Sequence, residues 1–127
     1  MLTVTHHINW TKAQILIAVH TLTLQGVEGI TESVIYDHLR GQIRDLGDRS
    51  VRQVTNNIPN SIYTLRHDSI ISVDDATEVI SLHPSLLSDD GEEFWDGLQT
   101  FIELHEKLKQ HKNHLRDVAE ELVGHKR

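Results

Sequence analysis

A chain of 127 residues is long enough for one domain with a real core, and for at most an appendage besides. The absence of cysteine excludes disulfides and thiolate metal sites, and a formal charge of −7 argues against a protein that coats nucleic acid by bulk attraction. The first ten residues, MLTVTHHINW, lack the basic-then-apolar layout of a secretory leader, and the longest apolar run, residues 15–19, is far too short to span a bilayer. The expectation is a cytoplasmic protein with no membrane partner.

Thr11 and Gln14 have the spacing of a capping box, which predicts a first helix starting at Thr11. Ile15, Leu16, Val19 and Leu22 give that helix a buried side, with Leu24 a further candidate, and Gly26 ends it. Thr31 is placed to cap a second helix with Glu32 in its first turn, where a carboxylate meets the positive end of the helix dipole. Val34, Ile35, His38 and Leu39 are its inward positions, and Gly41 is its expected end, although the pattern also runs on through Ile43 to Leu46.

Residues 46–48 read as a tight turn into a third helix, with Asp48 as N-cap. From there Val51, Val54, Ile58, Ile62 and Leu65 are spaced by three, four, four and three, which is one buried stripe of an α-helix. Pro59 lacks the N–H that would bond to Thr55, so a kink or break is expected near residues 57–60, with a further turn or two through Leu65. Between the apolar positions stand Arg49, Ser50, Arg52, Gln53, Asn56 and Asn57, residue types that read base edges.

Two short β-branched runs, residues 69–73 and 78–82, flank the polar residues 74–77 and predict a β-hairpin. Pro84 ends the second strand, Leu86 and Leu87 are expected to pack back, and residues 88–91 form a linker or cap. Residues 92–123 then read as one long helix of roughly 45 Å at about 1.5 Å per residue. In it Phe94, Phe101, Leu108, Leu115 and Leu122 fall seven apart, with Leu104 and Val118 in the companion column. Gly97, His111 and His125 share that column, while Trp95, Leu98, Ile102 and Ala119 widen the apolar face. So long a seam exceeds what a small body buries. Phe94, Phe101, Leu104, Leu108, Leu115, Val118 and Leu122 are therefore the expected dimerisation residues. On this division residues 1–88 form the folded domain and residues 89–127 a dimerisation element.

Charge is unevenly spread. Residues 40–66 hold Arg40, Arg44, Arg49, Arg52 and Arg66 against Asp45 and Asp48, a balance of +3. Residues 89–127 carry ten acids against six bases, a balance of −4.

Helix, helix, turn, helix, hairpin and trailing helix is the element order of a winged helix-turn-helix domain. The phrases GITESVIYDHL, LGDRSVRQV and LRHDSIISV resemble the winged-helix superfamily of prokaryotic DNA-binding proteins. They are most similar to dimeric regulators of the MarR and PadR kind, and also to the winged-helix ends of archaeal replication initiators. The resemblance covers residues 11–82 and is carried by element order and apolar spacing. It implies a mainly α fold with a small β-hairpin, and a third helix lying in the major groove of DNA. Its implied contacts are Arg49, Ser50, Arg52, Gln53, Asn56 and Asn57, and Arg44 just before the turn joins that set. The family's wing usually has a basic tip; here the tip is Asp74-Asp75-Ala76-Thr77, a departure from the pattern.

Ten histidines raise the question of metal. His6 and His7 are adjacent, His105, His111 and His114 lie on the last helix, and the last two share a face, yet no recognised ligand motif surrounds them. No phosphate-cradling glycine loop or nucleophile elbow is present, so neither an enzyme nor a cofactor is expected. The sequence reading is a homodimer that binds a specific double-stranded DNA site, most simply a transcriptional regulator. Plasmid or viral segregation and replication-origin binding use the same fold. The competing reading is a protein–protein adaptor whose acidic wing or tail meets a basic partner.

Overall fold

The computed structural model describes residues 8–44 and 47–125, without the side chains of residues 113 and 121–125. The protein is mainly helical, with a two-stranded antiparallel hairpin and a long C-terminal helix. In order come α1 (Trp10–Leu24), α2 (Glu32–Ile43), α3 (Asp48–Asn56), α4 (Ile58–His67), β1 (Ile71–Val73), β2 (Ile80–Leu82) and α5 (Glu92–His125). Two short 3-10 turns, Pro84–Leu87 and Asp89–Gly91, join β2 to α5.

The helix ends follow from local chemistry, in part differently from expectation. α1 is capped by Asn9, whose side chain accepts from the Lys12 N–H at 2.9 Å, and Thr11 is buried instead of capping. Its far end closes on Gly26 at φ 79°, with Val27 N–H donating to the Leu22 carbonyl and Gly26 N–H to that of Thr23. Leu24 in the last turn lies exposed, outside the buried side. Thr31 caps α2 as expected, accepting from Val34 N–H. α2 passes through Gly41 and ends at Ile43, which is buried; the expected run on to Leu46 lies partly outside the described residues. At α3 the N-cap position falls to Gly47, at φ 96°, and Asp48 is the first helical residue with no side-chain cap bond.

Pro59 divides the predicted stripe into two helices. Asn57 at the junction has φ −102°, and Pro59 lies in the first turn of α4, where its missing N–H costs nothing. The inward side of the pair is Ser50, Val54, Ile58, Ser61, Ile62 and Leu65, with Val51 half-buried. α4 ends with Ser69 in the left-handed region at φ 62°.

The hairpin is shorter and its connection longer than predicted: Ile71 pairs with Leu82 and Val73 with Ile80, and residues 74–79 link them. Asp74 organises this connection, its carboxylate accepting from the N–H groups of Ala76 and Thr77. β2 is tied to the helices by Ile80 N–H donating to the Ile30 carbonyl at 2.7 Å. Beyond β2, Leu86 is buried whereas Leu87 lies exposed.

The core does not stop at residue 88. Phe94, Leu98 and Ile102 of α5 are buried in the same cluster as Ile15, Leu16, Ile35, Ile58 and Leu65. The expected split at residue 88 therefore cuts through one core: the first three turns of α5 belong to the body. α5 runs antiparallel to α1, as two ring stacks record: His20 on Trp95 with centroids 3.9 Å apart, and Trp10 on His105 at 5.7 Å. Trp95 also donates its indole N–H to the Leu86 carbonyl at 2.9 Å.

Candidate nucleic-acid interface

α3 is short, and its apolar positions leave one side open. Arg49, Arg52, Gln53 and Asn56 recur at intervals of three, one and three, and all four are exposed on that side. Asn57 is exposed too, but its amide N–H donates to the Gln53 carbonyl at 2.6 Å, so it closes the end of α3. Ser50 is the correction. It is 5% exposed, faces inward, and accepts a hydrogen bond from Lys109 Nζ of α5 at 3.1 Å. A buried hydroxyl held by another helix cannot reach a base edge.

Two grooves border the open face. On one side a groove of about 370 Å³ between α2 and α3 is lined by Arg40, Arg44, Arg52, Asp48 and Val51. Three guanidinium groups against one carboxylate leave it positive; the ion pairs Arg66–Asp75 and His67–Asp68 lie elsewhere. Arg44 is thus brought beside Arg52, and Arg40 joins them. On the other side a polar cleft of about 310 Å³ is lined by Asn9, Lys12, Gln53, Asn60, Ser61 and Thr64, among others. Gln53 stands at the rim of both this cleft and a third groove, toward α5, formed with Trp10, His105, Leu108, Lys109 and Lys112.

The third groove is what sequence reading missed. Counted over residues 89–127 the tail is acidic, but residues 104–116 alone hold Lys107, Lys109, Lys112 and Arg116 against Glu106. A sliding count of charge along the helix would have found this island; a single sum over the tail hides it.

The hairpin tip is the acidic exception. Asp74 lies below its ordinary value, chiefly because the Thr77 N–H bonds to the carboxylate, with the Ala76 N–H and the Thr77 side chain adding to it. Asp75 is paired with Arg66 of α4 at 2.9 Å. No group of three or more His, Asp or Glu side chains converges among the described residues in a way that holds a metal ion. His6 and His7 lie outside the described residues.

The expected dimerisation residues divide. Phe94 is 2% exposed and Phe101 is half-buried against the core, so these two serve the protein's own packing. Leu104, Leu108, Leu115 and Val118 are exposed and form an apolar stripe on α5, with Leu108 at the edge of the groove it shares with Trp10 and Gln53. The side chains of Leu122 and His125 are outside the described set. No described helix is long and apolar enough to cross a membrane.

Comparison with known proteins adds no family: no protein-family model, curated protein or solved structure matches the chain.

Proposed function

We propose that this chain is a winged helix-turn-helix protein that binds a specific double-stranded DNA site as a homodimer, in the role of a transcriptional regulator. The observation that carries the reading is the open face of α3, where Arg49, Arg52, Gln53 and Asn56 stand together beside the Arg40–Arg44 groove. Arginine pairs bidentately with guanine, and Asn or Gln with adenine, so these four side chains suit direct readout in a major groove. The flanking arginines suit the phosphates on the groove wall. The hairpin that follows α4, held to the α1–α2 connection through Ile80 and Ile30, supports the winged form of the fold. The exposed stripe of Leu104, Leu108, Leu115 and Val118 supports pairing of two chains, which would offer two α3 helices to half-sites about one duplex turn apart. Segregation and replication-origin binding are uses of the same interface, differing in where the sites lie.

Selection of bound duplexes from a random pool tests this. The expected result is an enriched motif with two-fold character. Arg52→Ala should then lose most of the binding to that motif and make its salt dependence shallower. Equal binding by wild type and Arg52→Ala, with unchanged circular dichroism, would remove α3 from the role.

The acidic hairpin tip, Asp74 and Asp75, favours one other reading, an adaptor that meets a basic protein partner. Failure of the selection to enrich any motif would favour it.

A further inference from the structure

We infer that α5 carries a second DNA-contact element: Lys109, Lys112 and Arg116, headed by His105, continue the α3 face and hold the phosphate backbone of the same duplex. The inference rests on the DNA-binding reading of α3. It assigns to α5 a task beyond joining two chains.

Four observations carry it. First, His105, Lys109, Lys112 and Arg116 are spaced by four, three and four, which places them on one face of a continuous helix. Second, that stripe begins at α3. Lys109 Nζ donates to Ser50 Oγ at 3.1 Å and lies 5.7 Å from the Trp10 ring centre, and Lys109, Lys112 and His105 share one groove with Gln53 of the reading face. An ammonium has three donors, and Ser50 takes one of them.

Third, charge is segregated along α5. Residues 104–116 hold four bases against Glu106 alone, whereas residues 89–103 hold six acids and no base. Cations are thus confined to the part of α5 that leaves the body next to α3. Fourth, the stripe lies about a quarter-turn from Leu104, Leu108, Leu115 and Val118, at about 100° per residue. A partner helix seated on the leucines would be flanked by His105 and Lys112 and would leave Lys109 and Arg116 facing outward. Lys112 and Arg116 are themselves exposed.

The occupant follows from charge and extent. From Lys109 to Arg116 the stripe runs about 10 Å, over which a duplex presents roughly six negative charges. A phosphate backbone leaving the α3 face meets a row of cations without a break.

The test is the salt dependence of binding to a mixed-sequence duplex of about 40 base pairs, followed by fluorescence anisotropy, for wild type, Lys112→Ala/Arg116→Ala and Arg52→Ala. Each lost phosphate contact lowers the slope of log K against log salt by about 0.9. The double variant removes two contacts from each chain, so the dimer should be shallower than wild type by nearly four, while Lys112→Arg/Arg116→Lys keeps the wild-type slope. Sedimentation and circular dichroism check that dimer and fold are retained in both pairs. If Arg52→Ala weakens binding and the double variant keeps the full slope, the α5 assignment fails and the α3 reading stands. If wild type binds no duplex at all, both fail together.

Discussion

Arg66 at the end of α4 and Asp75 in the hairpin connection form an ion pair at 2.9 Å, and both side chains are well exposed. A pair in that setting contributes roughly 0–1 kcal/mol, because water screens it and two long side chains must be held still. Its larger effect is on charge: one of the arginines that make residues 40–66 basic is already neutralised by the hairpin. Asp75→Ala should change urea stability by less than about 1 kcal/mol. On the DNA-binding reading it should also tighten duplex binding at low salt, by freeing Arg66 and removing a nearby negative charge. Weaker binding by this variant would mean that the hairpin tip helps the interface through Asp75 itself.

Gly91 sits where α5 leaves the 3-10 turn, and a Cβ there would lie 2.8 Å from Leu86 Cα and from the Ser85 carbonyl oxygen. Those are backbone atoms and cannot rotate away. Gly91→Ala should therefore push α5 off the turn and cost roughly 1–3 kcal/mol, the usual range for overpacking. Urea denaturation measures it, and near-wild-type stability would show that the turn yields easily.

Leu108 is 61% exposed, so replacing it leaves the core of a single chain untouched. On the homodimer reading, Leu108→Glu is expected to give folded monomers in sedimentation, with unchanged circular dichroism. A dimer that persists would place the contact between chains somewhere other than the α5 stripe.

His20 stacks on Trp95 at 3.9 Å, and burial holds it below its ordinary value of 6.5. The unfolded chain then binds the proton more readily than the folded one, so the neutral form favours folding. Stability from this group is fully present above about pH 6.5 and is lost as pH falls through the lower, folded value. Melting temperature should fall between pH 7 and pH 5 in wild type and fall less in His20→Phe, which keeps the ring stack. Equal pH profiles for the two proteins would exclude His20 as a source of acid sensitivity. Asp74 acts at lower pH with the same sign: its depressed carboxyl favours the folded turn above about 3.8 and releases it on protonation.

Local chemistry made most of the elements readable from the chain. Gly26, Thr31 and Pro59 each mark a helix end by a backbone requirement that needs no distant partner. The site was less readable, because two of its facts are long-range. Ser50 has the composition of a contact residue, and only the return of α5, 59 residues later, covers it with Lys109. Likewise, a column of apolar residues seven apart looks the same whether it packs on its own body or on a second chain. Phe94 takes the first course, and Leu108 and Leu115 stay open to the second. The hairpin connection lengthened because Asp74 captures Ala76 and Thr77, so the strands begin further apart than their β-branched residues suggest.

α5 is one unbroken helix, its base embedded beside α1 and Lys109 held at α3, with Leu115 and Val118 exposed beyond them. It therefore acts as a ruler that also has a phase. If two chains grip each other by the outer half, the distance between their α3 helices is set by the number of residues in between. Their relative orientation is set by the same number, at about 100° per residue. Inserting one heptad above Lys109 would lengthen each arm by about 10 Å and nearly restore the original facing. Inserting two residues would swing the bodies more than half-way round with hardly any added length. Spacing and facing cannot be tuned independently in such a dimer, which on the DNA-binding reading limits the arrangements of half-sites that it can serve.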